Sequence, residues 1–301
     1  MKKITSKTHI AILLTCFNRK EQTLDCLSTV FNQRLLEDIC LSVYLVDDGS
    51  SDGTSDAVLE VFPSVTLIQG DGQLFWTGGM ELAFSTASKT GYDYYLWLND
   101  DTLLYSDAVA MLLNTSRWLR KKGKEGIIVG STQDKKTGLM TYGGVKKGTW
   151  VHPCKFRWLT PKEVPLQCDT MNGNCVLIPS QVAEKVEGLD LTFRHYAADF
   201  DYGLRAVRAG FDIWIAPGFI GTCASNSPKE QFEKLPKSET VNQFQRLSQP
   251  KGLPTQDAIL HPFHEWKAFT QRHAGPLWPI YWILPYRRII WLGITQRLRP
   301  F

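Results

Sequence analysis

The sequence predicts an α/β fold with a mostly parallel mixed sheet flanked by helices, followed by a C-terminal helical appendage. First, apolar segments with strand character alternate with segments of helical periodicity from residue 9 to residue 217. This alternation implies right-handed crossovers between parallel strands. Second, the 301 residues include 43% hydrophobic and 21% charged residues, which is typical of chains that bury a core. Third, polar segments follow several predicted strands, where α/β folds bind ligands.

The individual elements follow from these patterns in chain order. Strands are expected at residues 9–15, at 41–47 before a Gly/Ser/Asp-rich loop, and at 64–70, 93–101, 126–131, 171–180 and 211–217. Helices are expected at residues 20–33, 55–62, 80–90, 106–121, 180–187, 201–209 and 261–273. Ser55 is the predicted N-cap of the second helix. Residues 140–151 suit either a hairpin or a loop over the site.

The chain divides into three predicted parts. These are a main domain over residues 1–225, a polar and mobile segment over 226–260, and a C-terminal tail over 261–301. The tail places Trp and Tyr residues beside Arg residues, while Pro279, Pro285 and an Arg pair interrupt any spanning helix. This pattern favours a segment lying in a membrane interface. The alternative is a helix packed on the protein's own core or on a second subunit.

Composition limits the possible partners and compartment. The net charge of +4 gives no reason to expect a nucleic acid partner. The seven cysteines are scattered without zinc-type spacing, as in proteins of a reducing compartment. The apolar run Ile10–Leu14 is shorter than a signal peptide requires. We therefore expect a cytoplasmic protein and, from the tail, one associated with the inner face of the cell membrane.

Polar residues follow three predicted strands, at ends that a parallel sheet brings to one edge. These segments are TCFNR from Thr15, VDDGSSDGT from Val46 and LNDDT from Leu98. Each alone could be an ordinary turn, because Asp, Ser and Gly suit turns and caps. Three in succession favour a binding site. The sequence contains neither a P-loop nor the glycine motif of a dinucleotide-binding fold.

The side chains of these segments suit a nucleotide and a metal ion. Phe17 offers an apolar face to a nucleobase, and Asp47 and Asp48 offer acceptors to a base or to ribose hydroxyls. Asp100 and Asp101 are hard oxygen ligands of the kind that Mg²⁺ and Mn²⁺ prefer. The alternative is that these carboxylates are merely hydrated at the end of a strand.

A fourth polar segment, GDGQLFWTGGM, follows the third strand. Its Gly78-Gly79 pair would let the backbone approach a ligand closely. Phe75 and Trp76 could form the wall of a sugar or base pocket. Taken alone, Trp76 is better explained as a core residue.

A second acidic site stands at the start of the helix whose Leu204 and Val207 are predicted to face inward. Asp at a helix start commonly serves as a cap and interacts favourably with the helix dipole. Capping explains the presence of one acidic residue at this helix start better than it explains the presence of two, Asp199 and Asp201. The functional interpretation makes Asp199 a general base that removes a proton from an acceptor hydroxyl.

Together these segments resemble the motif series of family 2 glycosyltransferases with the GT-A fold, over roughly residues 9–223. GDGQLFWTGGM further resembles a bacterial rhamnosyltransferase-like subgroup that builds surface polysaccharides such as O-antigen. The resemblance implies one nucleotide-diphospho-sugar-binding domain, with Asp101 as ligand of Mg²⁺ or Mn²⁺ and Asp199 as catalytic base. The residues implied to bind the nucleotide sugar are Thr15, Phe17, Asn18, Arg19, Asp47, Asp48, Asp71, Trp76, Gly78 and Asp100.

The chain departs from the family pattern in three places. The first position of the metal motif is Asn99, the residue before the base is Ala198 rather than an acid, and no His follows the last strand. The resemblance places Gly173-Asn174 on the acceptor side. It implies that Arg205 and Arg208 order the loop of the base or approach phosphates.

The resemblance implies an inverting glycosyltransferase. It would move rhamnose or another hexose from a dTDP- or UDP-sugar to a hydroxyl of a glycan or lipid-linked glycan, with peripheral membrane contact through the tail. A sugar nucleotidyltransferase is the alternative, since it would use the same nucleotide and Mg²⁺ site. Its usual Gly-rich, basic first loop is not present in TCFNRKEQT. A non-enzymatic membrane-associated scaffold is disfavoured by two intact acidic sites.

Overall fold

The structure is a computed structural model, and it describes residues 7–35, 37–149, 151–194, 197–224 and 263–287. The chain forms two compact units. Unit 1 comprises residues 1–147 and 156–225, and unit 2 comprises residues 148–155 and 226–301. The predicted mobile segment, 226–260, lies outside the described residues.

The described part of unit 1 contains thirteen strands and six helices. The strands are β1 (Thr8–Cys16), β2 (Ile39–Asp47), β3 (Thr66–Gln69), β4 (Tyr94–Leu98), β5 (Leu103–Leu104), β6 (Gly126–Gln133), β7 (Met140–Tyr142), β8 (Gly144–Lys147), β9 (Phe156–Trp158), β10 (Leu166–Cys168), β11 (Thr170–Met171), β12 (Cys175–Pro179) and β13 (Asp212–Thr222). The helices are α1 (Lys20–Phe31), α2 (Thr54–Val61), α3 (Phe75–Ala87), α4 (Ala108–Lys121), α5 (Ser180–Val186) and α6 (Ala198–Arg208).

One large mixed sheet forms the frame of unit 1, with the strand order β10-β13-β6-β12-β4-β1-β2-β3. β4, β1, β2 and β3 run parallel, and α1, α2 and α3 form the crossovers between them. β12 is antiparallel to both β4 and β6, whereas β13 runs parallel to β6. A second, three-stranded sheet has the order β11-β8-β9. The predicted mostly parallel mixed sheet with flanking helices is therefore confirmed.

The centre of the sheet explains the apolar run that precedes Asn99. Every residue of β4 is buried, and so are Ile10–Leu14 of β1 beside it. Strands in the middle of a parallel sheet are covered on both faces, so their sequences are continuously hydrophobic rather than alternating. The apolar run ends at the carboxyl end of β4, where the polar residues from Asn99 onward begin.

Several element predictions are wrong in detail. α3 begins at Phe75 rather than at Met80. α2 begins at Thr54, with Gly53 at its N-cap position, so Ser55 is not the cap. Its hydroxyl instead donates a hydrogen bond to Asp47. Residues 140–147 form β7 and β8, which pair with other strands and not with each other as a hairpin would.

The described part of unit 2 contains α7 (Phe263–His273) and α8 (Trp278–Ile283). The rings of Phe263 and Trp282 pack with centroids 4.8 Å apart, and Nε1 of Trp266 donates to the carbonyl oxygen of Tyr281 at 3.1 Å. The two helices therefore pack on each other through aromatic side chains. In the described ranges, none of the helices has the length and apolar character needed to cross a bilayer.

Candidate active site

The carboxyl ends of β4, β1 and β2 lie side by side at one edge of the sheet. β1 lies between β4 and β2, and Cys16 at its end is in register with Asp47. The N–H of Asp48 donates to the carbonyl oxygen of Cys16 at 2.9 Å, which extends the pairing by one residue. The sheet thus brings the three polar segments TCFNR, VDDGSSDGT and LNDDT to one edge.

Arg19 bridges the two carboxylates that follow β4. Its Nη1 lies 2.8 Å from Oδ1 of Asp100 and 3.1 Å from Oδ2 of Asp101. The side chain of Asp100 is only 6% exposed. Burial, together with the neighbouring charge of Asp101, raises the pKa of Asp100 to about 6, against the lowering effect of Arg19. This edge of the sheet therefore concentrates negative charge that one guanidinium partly balances.

The donor chemistry of this edge fits a divalent cation. Mg²⁺ and Mn²⁺ favour oxygen ligands, and Mg²⁺ is usually held by one or two carboxylates plus substrate phosphates. Oδ2 of Asp100 is buried and has no hydrogen-bond partner among the described residues, so it is free to act as a ligand beside Asp101. Within the described ranges, no group of three or more His, Cys, Asp or Glu side chains is arranged to hold a metal. A cation here would depend on ligands from a bound diphosphate.

The loop after β2 is held by two side chains at the strand ends. Asp47 accepts hydrogen bonds from the N–H of Ser50, at 2.9 Å, and from the hydroxyl of Ser55. Asn18, with a left-handed φ of 51° that Asn tolerates, accepts from the N–H of Ser51 and donates its own N–H to Oγ of Ser50, both at 2.8 Å. Asp47 and Asn18 therefore shape the site by joining the ends of β1 and β2.

Asp48 organises the segment that leads into α3. Its Oδ1 accepts the N–H of Gly72 at 2.9 Å, and its Oδ2 accepts those of Leu74 and Phe75, both at 3.0 Å. Both oxygens of this buried carboxylate thus bind the protein's own backbone. These contacts shape the loop, and the expectation that Asp48 binds a base or ribose stays a prediction. Asp71, also expected to bind the nucleotide, makes a local turn bond in the same loop.

Phe17 is exposed to solvent, whereas Gly78 and Gly79 adjoin other side chains of the protein. Phe17 is 52% exposed just after β1, which leaves its ring open to a stacking partner. Thr15 instead faces α3, because a Cβ on Gly79 would lie 2.1 Å from its Oγ1. A Cβ on Gly78 would meet Leu74 at 3.2 Å. The pair therefore makes room for the protein's own packing, and the expectation that it lets a ligand approach the backbone stays a prediction.

Trp76 connects the two acidic parts of the site. Its Nε1 donates to Oδ1 of Asn99 at 2.9 Å. The ring also lies against Gly173, where a Cβ would be 2.6 Å from Cζ2 of the indole. The N–H of Gly173 in turn donates to Oδ2 of Asp199 at 2.9 Å. The Asn99–Asp101 turn and Asp199 therefore belong to one connected site.

Asp199 lies in the first turn of α6, and three hydrogen-bond donors hold it. Oδ2 accepts from the N–H of Gly173 and, at 3.5 Å, from the amide of Asn172, while Oδ1 accepts from the N–H of Phe200 at 2.8 Å. Burial raises the pKa of Asp199 to about 6, against the lowering effect of these donors. A carboxylate with a raised pKa is better matched to proton removal near neutral pH. This environment suits the role of general base.

Asp201 and Arg205 form a structural pair on the same helix. Asp201 is fully buried, and its Oδ2 lies 2.8 Å from Nε of Arg205. Arg205 also donates to the carbonyl oxygens of Val186 and Gly188, at 2.6 and 2.8 Å. Arg205 therefore holds the loop after α5, which is not the loop of the base named in the implied role. Val207 of this helix, expected to face inward, is 43% exposed.

Cys223 is a site residue that the sequence analysis missed. It follows β13, whose antiparallel pairing with β5 places it beside the turn after β4. Its Sγ donates to Oδ1 of Asp101 at 3.4 Å and accepts from Nδ2 of Asn174 at 3.7 Å. Burial, and then the charge of Asp101, raise the pKa of this thiol to about 12. The available signal was its position directly after the last strand, where the family pattern places a His.

The fold of this chain is similar to that of glycosyltransferases with the GT-A fold. Residues 11–153 match the model of the family described as Glycosyl transferase family 2. This segment of the chain is therefore similar to family 2 glycosyltransferases. The resemblance drawn from the four sequence segments is confirmed.

Two curated relatives are similar to this chain. Both are N-acetylglucosaminyl-diphospho-decaprenol L-rhamnosyltransferases of Mycobacterium tuberculosis, from the strains CDC 1551 / Oshkosh and ATCC 25618 / H37Rv. Each is 24% identical over 195 residues, which cover 57% of this chain. The match spans 62% of the length of these relatives.

Two solved structures show the likeness of the fold. The mannosyltransferase PcManGT from Pyrobaculum calidifontis, solved with GDP-Man and Mn²⁺, has a TM-score of 0.50 at 18% identity, covering 98% of this chain and 82% of that one. TarS 1-349 from S. aureus, solved with UDP, has a TM-score of 0.55 at 12% identity, covering 84% and 70%. At these identities the likeness concerns the fold alone, and it confirms the predicted GT-A architecture.

Proposed function

We propose that this protein is an inverting, metal-dependent glycosyltransferase that transfers a sugar from a dTDP- or UDP-sugar to a hydroxyl of a lipid-linked glycan. The observation that carries the proposal is the connection of the Asp100–Asp101 edge, through Trp76 and Gly173, to the half-buried carboxylate of Asp199. The names of the curated relatives make L-rhamnose the first candidate sugar, with another hexose next, and an N-acetylglucosaminyl-diphospho-lipid the first candidate acceptor. The product would enter a bacterial surface polysaccharide such as O-antigen.

The donor binds at the carboxyl edge of the sheet in this proposal. The exposed ring of Phe17 stacks on the base, beside the loop that Asp47 and Asn18 hold. Asp101, with Asp100, would hold a divalent cation, which would supply positive charge to stabilise the leaving diphosphate. Arg19 adds a second positive charge at the same edge. These residues bind and orient the donor, whereas Asp199 acts on the acceptor.

The transfer itself is a single displacement. Asp199 removes the proton of the acceptor hydroxyl while that oxygen attacks the anomeric carbon of the donor sugar. A new C–O bond forms, and the bond from the anomeric carbon to the phosphate oxygen breaks with its electron pair leaving on the nucleoside diphosphate. Attack opposite to the leaving group inverts the anomeric configuration. Asp199 then releases its proton to solvent.

Unit 2 supports a peripheral membrane contact. Four apolar side chains of α8 and its flanking turns are 40–56% exposed, and these are Leu277, Ile280, Ile283 and Leu284. Arg287 lies three residues after Leu284, and apolar side chains beside basic ones are typical of interfacial segments. We propose contact with the cytoplasmic face of the cell membrane, the surface at which a lipid-linked acceptor would lie.

Product analysis tests this function. The full chain is incubated with Mn²⁺, an N-acetylglucosaminyl-diphospho-lipid and either dTDP-L-rhamnose or a series of UDP-sugars. We expect release of the free nucleoside diphosphate, together with an extended acceptor of inverted anomeric configuration, and no product from Asp199→Asn. Release of pyrophosphate would identify a nucleotidyltransferase instead. A failure of every donor to yield a nucleoside diphosphate would contradict the proposal.

A further inference from the structure

Trp76 lies between two parts of the site that are distant in the sequence. Its indole Nε1 donates to Oδ1 of Asn99 at 2.9 Å, although 23 positions separate the two residues. The N–H of Asn99 donates to the carbonyl oxygen of Asn174 at 3.0 Å. Asn99 directly precedes the carboxylates of Asp100 and Asp101. One edge of the indole therefore sets the position of the turn that carries these carboxylates.

The benzene part of the same indole packs on the backbone that holds the base. A Cβ at position 173 would lie 2.6 Å from Cζ2 and 2.7 Å from Cη2 of Trp76, so only glycine fits there while the ring is present. The same Cβ would lie 3.4 Å from Cβ of Asp199, and the N–H of Gly173 donates to Oδ2 of Asp199 at 2.9 Å. The ring and the base thus contact the same residue.

The backbone of Phe75 and the ring of Trp97 fix the orientation of Trp76. The residue before it, Phe75, has a left-handed φ of 56°, which is unusual for a bulky residue, and its N–H is held by Oδ2 of Asp48 at 3.0 Å. The ring of Trp97 packs edge-on against the indole with centroids 6.0 Å apart. Held at the backbone and at the ring, the indole acts as a rigid spacer, as packed side chains in interiors do.

We infer that Trp76 is a positioning residue, which holds the Asn99–Asp101 turn and the Gly173 backbone at a fixed separation and so places Asp199 relative to the donor. The inference rests on the proposed function. The indole acts through Asn99 and Gly173, so its loss changes turnover more than it changes donor affinity. Because a misplacement of about 1 Å can cost about 100-fold in rate, we expect Trp76→Leu to lower kcat by about 10- to 100-fold.

Unfolding experiments test the geometry without any substrate. Gly173→Ala places a Cβ against the indole, so it should lower the midpoint of urea unfolding. Leu at position 76 lacks the two ring atoms that this Cβ meets. The double variant Trp76→Leu/Gly173→Ala should therefore unfold at a higher urea concentration than the sum of the two single effects predicts. Additive effects would overturn the inference.

Kinetic experiments test the role. For Trp76→Leu, titration calorimetry with UDP or dTDP and Mn²⁺ measures nucleotide affinity, and transfer from dTDP-L-rhamnose or the accepted UDP-sugar measures kcat and KM. Trp158→Phe is the matched control, because Trp158 is 47% exposed on β9. We expect a fall in kcat with nucleotide affinity within about threefold of wild type, a difference of about 0.65 kcal/mol in binding free energy. An unchanged kcat would make Trp76 a packing residue only. If the wild-type protein uses no donor at all, the proposed function fails, and the unfolding cycle still decides the geometry.

Discussion

Nη1 of Arg19 lies 2.8 Å from Oδ1 of Asp100, although 81 positions separate the two residues. The same nitrogen lies 3.1 Å from Oδ2 of Asp101. Before a donor binds, the carboxylates proposed to bind a divalent cation thus already have a cationic partner. A metal ion that binds there must compete with this ion pair.

Replacement of Arg19 tests this competition. Arg19→Met keeps the apolar length of the side chain and removes its charge, so Asp100 and Asp101 lose their partner. Because Arg19 is 40% exposed, we expect a loss of stability of no more than about 1 kcal/mol in chelator. Mn²⁺ should then raise the unfolding temperature more in the variant than in the wild type. Arg157→Met, an exposed substitution on β9, is the control, and equal shifts with Mn²⁺ in Arg19→Met and wild type would contradict competition.

Replacement of Asp101 tests the metal ligand. Asp101→Asn keeps the shape of the side chain and removes the charge that a hard cation requires. We expect Mn²⁺-dependent binding of UDP or dTDP to weaken at least about tenfold, a loss of about 1.4 kcal/mol. Asp107→Asn, an exposed carboxylate before α4, should leave binding unchanged. Titration calorimetry measures both, and an undiminished affinity in Asp101→Asn rules out this residue as the ligand.

The raised pKa of Asp199 predicts a pH dependence of turnover. The base must be ionised, so kcat at saturating donor should fall as the pH drops below about 6. Asp199→Asn should lose about 10²- to 10⁴-fold in turnover, the usual range for a general base. Nucleotide binding should persist in the variant, because Asp199 is not placed on the donor side. A transfer rate near that of wild type would mean that another residue is the base.

The raised pKa of Asp199 also makes the free energy of unfolding depend on pH. The folded protein binds the Asp199 proton more tightly than the unfolded chain, whose carboxyl has the ordinary pKa of 3.8. The contribution of Asp199 to the free energy of unfolding therefore decreases as the pH rises from about 4 to about 6. Asp199→Asn has no such proton, so its stability relative to wild type should increase across this window. Urea unfolding of both proteins, below about pH 4 and above about pH 6, checks the direction of this change in stability.

Replacing Asp48 and Asp71 separately tests which of these two carboxylates stabilises the loop before α3. Asp48→Ala removes the acceptor of three backbone N–H groups, and we expect a loss of about 1–3 kcal/mol, the cost of a buried unsatisfied group. Asp71→Ala removes one local bond in an exposed turn, which should cost less than about 0.5 kcal/mol. Urea unfolding measures both. Similar losses in the two variants would refute the assignment of Asp48.

The membrane proposal is tested on the full chain. Replacing Ile280 and Leu284 with Ser removes two exposed apolar side chains from unit 2, and replacing Leu139 and Leu191 with Ser does the same in unit 1. We expect wild type and the unit 1 variant to co-sediment with phosphatidylglycerol vesicles, and the unit 2 variant to bind less. Salt should weaken the binding, because basic residues contribute about 1 kcal/mol each at an anionic surface. Equal sedimentation of both variants would exclude this apolar set as the contact.

Local sequence patterns were sufficient for most strands and helices and for the polar strand ends. The buried run of β4 and the carboxylates after it were identified because hydrophobic continuity and turn chemistry are properties of a few adjacent residues. The same local signals identified Asp101 and Asp199 as candidates. These local signals misplaced the start of α3. The helix opens at Phe75, whose left-handed backbone is held by the hydrogen bond that its N–H donates to Asp48, 27 positions earlier.

The roles of individual site residues were decided only by the tertiary structure. Asp48 looks like a free acceptor in the sequence, but the path of the chain after β3 brings backbone N–H groups to both of its oxygens. Cys223 lies 122 positions from Asp101, and only the pairing of β13 with β5 brings its thiol to that carboxylate. The contact between Trp76 and Gly173 likewise exists only because the fold brings these two distant residues together. Strand order and register determine which distant side chains meet, and they are properties of the whole sheet rather than of a few adjacent residues.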